Sequence, residues 1–170
     1  MKKIIIYSTV LLLAACSVKT IPLKGKYQSE TYYQNTSSSV DKVWDKLVDL
    51  FAKRGLSIKV IDRSSGLIVS DKYKLTYTFE DKTGKLLDPT AFVVLPKKII
   101  PGSNTVFSPG YITGEWNVRI KDDGKGGTVI NVNLVNINDV STSLRGGSTE
   151  SLSEAISTGV FETYIYNTIK

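Results

Sequence analysis

A change in the spacing of apolar residues constrains the fold of this chain most strongly. Between Val40 and Phe51, apolar residues recur every three or four positions, which is the spacing of an amphipathic helix. Serines at positions 37–39 offer N-caps before this stretch, and Gly55 follows it where a left-handed C-cap belongs. Beyond Gly55 the spacing falls to two residues, the period of a half-buried β-strand. We therefore predict one long helix followed by antiparallel strands.

The two-residue alternation predicts two hairpins and a strand between them. The first hairpin joins Leu56–Ile61 to Leu67–Ser70 through a turn at Arg63–Gly66. A half-buried strand follows over Lys72–Phe79, and its predicted buried face carries Tyr73, Leu75, Tyr77 and Phe79. The second hairpin crosses a polar turn at Asp122–Gly127. It pairs Trp116, Val118 and Ile120 with Ile130, Val132 and Leu134.

The two ends of the domain complete the predicted element order. A first strand is predicted at Lys26–Tyr33, and the chain is predicted to end in an amphipathic helix. The apolar stripe of that helix contains Leu152, Ile156, Val160 and Tyr164 at spacings of four. Ser148 or Ser157 would cap it, and Gly159 favours the later start because glycine weakens a helix interior. This order predicts an α+β domain with both helices on one face of an antiparallel sheet.

The first sixteen residues have the three parts of an export signal. Two lysines at positions 2 and 3 precede an uncharged apolar stretch over Ile4–Leu13, and small residues lead into Cys16. The stretch is too short to remain as a spanning helix. Its last residues, Leu-Ala-Ala-Cys, resemble the bacterial lipobox. We therefore predict a signal peptide at 1–15, cleavage between Ala15 and Cys16, and attachment of a diacylglycerol and an acyl chain to Cys16 as a membrane anchor.

The mature chain is predicted to contain a lipidated tether at 16–25 and a single domain at 26–170. Without Lys2 and Lys3 the chain has 20 basic and 16 acidic residues. The resulting net charge of +4 does not indicate nucleic-acid binding. Lys19, Lys24 and Lys26 follow the predicted lipid closely. They would either face anionic headgroups or simply keep a solvated tether soluble.

An apolar, proline-rich insertion over 86–111 departs from the simple element order. It contains four of the five prolines of the chain, and long insertions of this kind often serve function. We predict a contact surface here, with Phe92, Leu95 and Ile99 as contact residues. The alternative is that Ala91–Leu95 or Lys97–Ile100 forms another strand and completes the core.

The composition excludes several kinds of catalytic site. The chain has no histidine, so a serine nucleophile lacks its usual base, and its one cysteine is predicted to carry lipid. Asp122 and Asp123 lack the spacing of a calcium loop and are predicted to shape a turn. We therefore predict a protein without metal or other cofactor that is not an enzyme. An enzyme using carboxylates alone would need two acidic residues converging in a pocket.

Several packing and turn residues carry a family resemblance. They are Ser39, Val40, Val43, Trp44, Leu47, Gly55, Leu56, Ile58, Asp62, Gly66, Leu67, Ile68, Val69, Ser157, Thr158, Gly159 and Glu162. In these residues the chain resembles the domains of BamC-like lipoproteins, which accompany the outer-membrane β-barrel assembly machinery of Gram-negative bacteria. The resemblance implies a helix-grip fold, with two helices laid across an antiparallel sheet. BamC itself has two such domains and a long N-terminal segment, whereas one domain and a short tether are predicted here.

These observations lead to two functional hypotheses. The first is a lipid-anchored, periplasm-facing lipoprotein of the bacterial outer membrane that acts as an interaction or assembly module for an envelope protein. Ser17 follows the cysteine in place of the aspartate that retains some lipoproteins in the inner membrane. The second is a carrier of a small apolar ligand in a cavity between sheet and helix, lined by Trp44, Phe51 and Phe161.

Overall fold

The computed structural model describes residues 18–27, 32–99, 102, 106–143 and 146–170. The predicted signal peptide at 1–15 and the predicted lipidation site at Cys16 lie outside the described residues. So does part of the strand predicted at Lys26–Tyr33.

The described residues form two helices and twelve strands. The helices are α1 (Val40–Arg54) and α2 (Val160–Ile169). The strands are β1 (Lys19–Ile21), β2 (Tyr32–Thr36), β3 (Ile58–Asp62), β4 (Leu67–Ser70), β5 (Tyr73–Leu75), β6 (Tyr77–Thr78), β7 (Val93–Val94), β8 (Lys97–Ile99), β9 (Tyr111–Asp122), β10 (Thr128–Ser143), β11 (Gly146–Ser151) and β12 (Ile156–Ser157).

A seven-stranded antiparallel sheet is the centre of the structure. Its main strand order is β11-β10-β9-β4-β3, with β2 added on β10 and β5 on β9. The long β9–β10 hairpin has the register that the sequence predicts. The directly paired residues are Ile120 with Ile130, Val118 with Val132, and Trp116 with Leu134. A two-stranded β1–β8 ribbon and a small three-stranded sheet of β12, β7 and β6 lie beside it.

One face of the large sheet carries the core. Along β9 the residues Ile112, Trp116, Val118 and Ile120 are buried, whereas Tyr111, Arg119 and Lys121, each next to one of them, are exposed. The buried residues of both helices belong to the same core cluster. They are Val43, Trp44, Leu47, Leu50 and Phe51 of α1, and Phe161, Ile165 and Ile169 of α2. The predicted α+β class, with a mostly antiparallel sheet and two helices, is confirmed.

The first helix forms where its sequence pattern predicts, but the predicted serine cap is wrong: Ser39 occupies the N-cap position and makes no side-chain capping hydrogen bond with a described residue. The helix ends at Arg54, and Gly55 adopts a left-handed conformation with φ of 63°, which glycine tolerates without a Cβ clash. On the solvent face, Arg63 from the β3–β4 turn donates to Asp41 at 2.6 Å. This contact joins the start of α1 to the first hairpin.

The strand predicted at Lys72–Phe79 is divided in two. β5 pairs antiparallel with β9, whereas β6 pairs in parallel with β7. Because the chain changes partner, the inward side also changes, and Thr78 and Glu80 are buried while Tyr77 and Phe79 are only partly buried. The predicted buried face therefore holds for Leu75. It is wrong for Tyr73, which is 39% exposed, and for the second half of the segment.

The last helix starts later than the apolar stripe from Leu152 suggests. The segment before it forms β11 along β10 and β12 along β7, and α2 begins after Gly159, whose φ is 82°. Of the two predicted caps, Ser148 lies in β11. Ser157 precedes the helix but does not cap it, because Gly159 occupies the N-cap position; the Ser157 Oγ accepts a hydrogen bond from the Gly159 amide at 3.1 Å. The later start that Gly159 favours is the one observed.

The described part of the proline-rich insertion contributes to the core. Ala91, Val93, Val94 and Leu95 are all buried, and β7 lies between β6 and β12. The alternative of an added strand that completes the core is therefore confirmed for this stretch. The insertion also supplies β8, which pairs with β1.

The segment predicted as a tether is attached to the domain over its described residues. Lys19, Thr20 and Ile21 pair with Ile99, Lys98 and Lys97. Further along, the buried carboxylate of Glu80 accepts hydrogen bonds from the Lys24 and Gly25 amides, each at 2.7 Å, and from the Tyr27 hydroxyl at 2.6 Å. Residues 18–27 therefore follow the surface of the domain.

Candidate functional site

Of the three aromatic residues that the carrier hypothesis places around a cavity, Phe161 alone lines one of the cavities described below. Trp44 and Phe51 of α1 are packed in the core and line neither of the cavities described below. Phe92 and Phe161 do lie together, with ring centroids 5.4 Å apart, at the start of α2. Leu95 is buried and Ile99 is half-buried in β8.

An aromatic cluster fixes the start of α2 on the sheet. The ring of Phe161 stacks on Trp116 of β9 with centroids 3.6 Å apart and planes inclined by 22°. Tyr73 contacts the same tryptophan with its centroid at 5.3 Å. A cavity of about 160 Å³ opens at the edge of this cluster between Arg54, Leu56 and Tyr164. Because aromatic stacking adds to the area buried, Phe161 holds the neighbouring residues of α2 in place.

A larger cavity lies on the inner side of the sheet, between β10 and the segment that leads into α2. Its volume is about 290 Å³. The apolar part of its wall consists of Val132, Leu134, Ile137, Ala155 and Ile156. Tyr32, Asn133, Ser153, Ser157 and Glu162 add polar groups. A wall that combines apolar side chains with a few polar groups is typical of a small-molecule site.

Glu162 is the most unusual group in this wall. It lies in the first turn of α2 and is only 4% exposed. Its Oε1 accepts a hydrogen bond from the Ser157 hydroxyl at 2.6 Å, whereas its Oε2 has no hydrogen-bond partner among the described residues. Burial raises the pKa of Glu162 above its usual value, although the Ser157 hydrogen bond opposes the shift.

The backbone before α2 explains why Glu162 is held at the cavity. Ser157 belongs to β12, which pairs with β7, and the Thr158 amide donates to the Phe92 carbonyl at 3.0 Å. Gly159 then turns the chain into the helix. Because both flanks are fixed, the Ser157 hydroxyl and the Glu162 carboxyl stay within hydrogen-bond distance.

The geometry suits a molecule with an apolar body and one hydrogen-bond donor. The apolar wall would cover the body, and the free oxygen of Glu162 would accept a hydrogen bond from an amine or a hydroxyl. A buried carboxyl oxygen without a donor costs free energy, so filling this position would be favourable. Glu162 is the single acidic residue among the described residues that line this cavity.

The two acidic residues of the β9–β10 turn accept hydrogen bonds from backbone amides. Asp122 accepts a hydrogen bond from the Gly124 amide at 2.6 Å, and Asp123 accepts one from the Gly127 amide at 2.8 Å. Both carboxylates thus stabilise the β9–β10 turn, as the sequence predicts. Across the described part of the chain, no group of three or more His, Cys, Asp or Glu residues is placed to hold a metal ion.

Glu162 is not among the site residues predicted from the sequence. A usable signal was present, because Glu162 is three and seven positions before Ile165 and Ile169, and these spacings put all three residues on one helix face. A carboxylate on the buried face of a helix is rare unless it is paired.

Comparisons with known proteins add little to this picture. No protein-family model and no curated protein matches the chain. Among solved structures, the chain is similar to the Zhui aromatase/cyclase from Streptomyces sp. R1128 at 15% identity. The match covers 85% of this chain and 84% of that chain with a TM-score of 0.24. This similarity is too low to support an inference about function.

No helix among the described residues is long and apolar enough to cross a membrane.

Proposed function

We propose that this chain is a lipid-anchored lipoprotein of the bacterial outer membrane whose periplasm-facing domain is a non-enzymatic binding module. The Leu-Ala-Ala-Cys sequence at 13–16, with its preceding apolar stretch and lysines, supports the anchor. Glu162 stands alone as an acidic group among the described residues of the cavity, and acid–base catalysis by carboxylates alone needs a pair. This supports binding over catalysis.

The fold that we propose in detail is a helix-grip domain of the BamC-like kind. Two observations support it. Both helices contribute to a single core on one face of a long antiparallel hairpin, and α1 and α2 also pack against each other. The element order is also the one expected from the resemblance.

The observation that best supports a specific function is the cavity of about 290 Å³ whose wall contains the buried Glu162. One carboxyl oxygen of Glu162 has no hydrogen-bond partner among the described residues. We propose that the domain carries a small amphipathic molecule there, which is the second of the two functional hypotheses. The proposed ligand has an apolar body that fits against Val132, Leu134 and Ile137, and it carries an amine or hydroxyl that donates to Glu162. A neutral apolar molecule without a donor would leave the free oxygen of Glu162 unpaired and would bind more weakly.

A test of this function compares bound small molecules between variants. The lipidated protein is purified in detergent, extracted with organic solvent and examined by mass spectrometry, alongside Ile137→Trp and Tyr33→Ala. The tryptophan fills the cavity, whereas Tyr33 is 62% exposed and pairs opposite Asn131 on the outer face. We expect a donor-bearing amphiphile with the wild type and Tyr33→Ala but not with Ile137→Trp. Equal recovery from all three proteins would contradict the carrier function.

The anchor has its own test. Cells that express the wild type or Cys16→Ser are grown with radiolabelled palmitate, and membranes are separated by density. We expect label and outer-membrane fractionation for the wild type and neither for Cys16→Ser. Unlabelled wild-type protein would contradict lipidation at Cys16.

A second candidate function is the interaction or assembly module, and the exposed edge strand β3 favours it. In the described part of the large sheet, β3 ends the strand order. It exposes Ile58, Val60 and Ile61 by 37%, 42% and 54%. Edge strands with exposed apolar residues commonly accept a strand from another protein. The proposed partner is therefore an envelope protein that adds an extended segment along β3.

Photo-crosslinking in intact cells tests this second function. A photoreactive residue replaces Ile61 in one strain and Lys42, on the solvent face of α1, in a control strain. We expect a discrete crosslinked species from position 61 alone. If both positions give the same background, β3 is not a partner surface.

A further inference from the structure

The cavity of about 290 Å³ between β10 and α2 contains a buried acid without a matching base in its described wall. Glu162 is 4% exposed, and its Oε2 has no hydrogen-bond partner among the described residues. The other described side chains of the wall are apolar or carry hydroxyl and amide groups, and none of them is a lysine or an arginine. Because a buried charge is ordinarily paired, this wall lacks a positive group.

The acidic and basic groups nearest along the chain do not supply the missing charge. Glu154 lies between Ser153 and Ala155, which both line the cavity, but its carboxylate pairs with Lys98 at 3.2 Å. Glu154 and Lys98 line a separate cavity of about 50 Å³. This ion pair is therefore neutral in itself and leaves the charge of Glu162 uncompensated.

The carboxyl group of Glu162 is held in place before any ligand binds. Its Oε1 accepts the hydrogen bond from the Ser157 hydroxyl at 2.6 Å. The next residue, Thr158, donates through its hydroxyl to the Ala91 carbonyl at 2.5 Å, which fastens the backbone between the two groups. The desolvation of the carboxylate is thus a cost of folding, and a ligand adds only its own desolvation.

A positively charged donor suits this carboxylate better than a neutral one. A hydroxyl group would satisfy Oε2 but would leave the negative charge unpaired. A primary ammonium group satisfies Oε2 and also neutralises the charge, and such a charge-assisted hydrogen bond is about twice as strong as a neutral one. Its remaining N–H groups have acceptors available in the oxygens of Tyr32, Asn133 and Ser153, which line the same cavity.

The apolar part of the wall limits the size of the ligand. It is formed mainly by Val132, Leu134, Ile137 and Ile156. A cavity of about 150 Å³ accepts benzene, so this one has room for an apolar body of roughly twice that size. The wall therefore fits a compact hydrocarbon group that carries a single amine.

We propose that the cavity between β10 and α2 selects a small primary amine in its protonated form, with Glu162 as the counter-charge and Val132, Leu134 and Ile137 around the apolar body. This inference rests on the proposed carrier function and narrows it. The shape of the site admits an amine or a hydroxyl, whereas its charge selects the amine.

A proton and the ammonium group compete for the same carboxylate. Burial raises the pKa of Glu162, so increasing the pH from the ordinary glutamate range through this pKa removes the proton and strengthens amine binding. The amine itself stays protonated up to about pH 10. Tyr32 is the other titratable residue in the described wall, and Glu154 and Lys98 are paired outside it. The affinity for an alcohol should not follow this pH dependence.

Isothermal titration calorimetry with three matched probes tests the selection. Hexylamine, 1-hexanol and hexyltrimethylammonium share one apolar chain, and the third has the charge of the first without an N–H donor. Each probe is titrated into the full-length lipidated protein in non-ionic detergent at pH 5.5 and pH 7.5, with detergent alone as the blank. The proteins are the wild type, Glu162→Gln, Ile137→Trp, which fills the cavity, and Tyr33→Ala, which alters the outer face.

We expect the wild type at pH 7.5 to bind hexylamine about tenfold more tightly than 1-hexanol, with hexyltrimethylammonium between them. At pH 5.5 its affinity for hexylamine should fall while that for 1-hexanol stays unchanged. Glu162→Gln should lose about tenfold in hexylamine affinity but bind 1-hexanol within about twofold of the wild type, which also shows that its cavity is intact. Tyr33→Ala should behave as the wild type.

The possible failures are distinguishable. If the wild type binds hexylamine and 1-hexanol equally and Ile137→Trp binds neither, the carrier function holds and the amine selection is overturned. If no probe binds the wild type more tightly than it binds Ile137→Trp, both the carrier function and the amine selection fail. The probe series and the pH comparison on the wild type decide the selection even if Glu162→Gln does not fold.

Discussion

The Ser157 hydroxyl donates a 2.6 Å hydrogen bond to one oxygen of Glu162, and the other oxygen of this buried carboxyl has no partner among the described residues. The two residues lie on either side of the turn into α2. Their hydrogen bond fixes the position of the carboxyl group but does not neutralise its charge. Burying an ionised carboxylate with one hydrogen bond is costly. The buried carboxyl of Glu162 therefore carries a desolvation cost, which a hydrogen-bond donor on the proposed ligand would offset.

Replacing Glu162 should change how stability depends on pH. Burial raises the folded-state pKa of Glu162, so the folded state binds the proton more tightly than the unfolded state does. The stability of the wild type should therefore fall as the pH rises from the ordinary glutamate range through the raised pKa. We expect Glu162→Gln to unfold at a higher temperature than the wild type at pH 7, with a smaller difference at pH 4. Thermal unfolding followed by circular dichroism measures both differences. If the gain in unfolding temperature of Glu162→Gln over the wild type were smaller at pH 7 than at pH 4, this account would be contradicted.

The attachment of residues 18–27 should depend on Glu80. Burial alone would raise the pKa of Glu80, but hydrogen bonds from Tyr27 and from the amides of Lys24 and Gly25 outweigh it and hold the pKa below its usual range. Burial, together with the hydrogen bond to Glu80, raises the pKa of Tyr27 to about 12. Because the folded-state pKa of Glu80 is lowered, its stabilising effect is present above the ordinary glutamate pKa and is lost as the pH falls through the folded value.

Glu80→Gln should therefore free the segment. The amide loses the charge of the acceptor and turns a donor towards the backbone amides, which we expect to cost about 1.5–3 kcal/mol. Hydrogen exchange of residues 18–27 at pH 7, corrected for intrinsic rates, should show lower protection in the variant. Glu154→Gln, which removes the exposed ion pair with Lys98, serves as the control and should leave the exchange of Lys24 and Gly25 unchanged. Unaltered protection in Glu80→Gln would mean that the β1–β8 pairing alone holds the segment.

The stack of Phe161 on Trp116 should be a main source of stability. Phe161→Ala removes a buried ring from a position 3.6 Å from the indole, and such truncations cost about 3–5 kcal/mol. Phe107→Ala, at a position where the ring is half exposed, should cost less than about 1 kcal/mol. Urea unfolding followed by tryptophan fluorescence compares the two variants. Similar losses would show that the ring of Phe161 contributes little beyond its neighbours.

The parts of the fold that depend on local patterns were predictable from the sequence. The helix Val40–Arg54 and the pairing of Ile120 with Ile130 follow from periodicity and turn chemistry, which act over a few residues. The break between β5 and β6 was not predictable from local patterns. β6 pairs in parallel with β7, and only tertiary contacts select that partner. The strands β11 and β12 were missed for the same reason.

The candidate site was less predictable than the fold. Of the residues predicted to contact a ligand or a partner, Phe92 and Phe161 lie next to each other, whereas Trp44 and Phe51 are core residues. Glu162 was hidden because an acidic residue in the first turn of a helix is ordinarily an exposed group that favours the helix dipole. Its burial depends on the β12–β7 pairing, which brings the preceding chain over the sheet.

Two glycines offer a matched test of the close contact between the first hairpin and β9. Gly66 and Gly124 both lie in turns with positive φ, 69° and 74°, so alanine should cause similar backbone strain at each. They differ in their surroundings, because a Cβ at Gly66 would lie 2.0 Å from the Ile120 carbonyl oxygen, whereas nothing lies within 4 Å at Gly124. The Ile120 amide also donates to the Gly66 carbonyl at 2.9 Å. We therefore expect Gly124→Ala to cost about 1–2 kcal/mol from backbone strain alone. Gly66→Ala should cost several kcal/mol more, because the turn must move away from β9. Urea unfolding of both variants measures the difference, and equal losses would show that the turn can shift without disturbing the core.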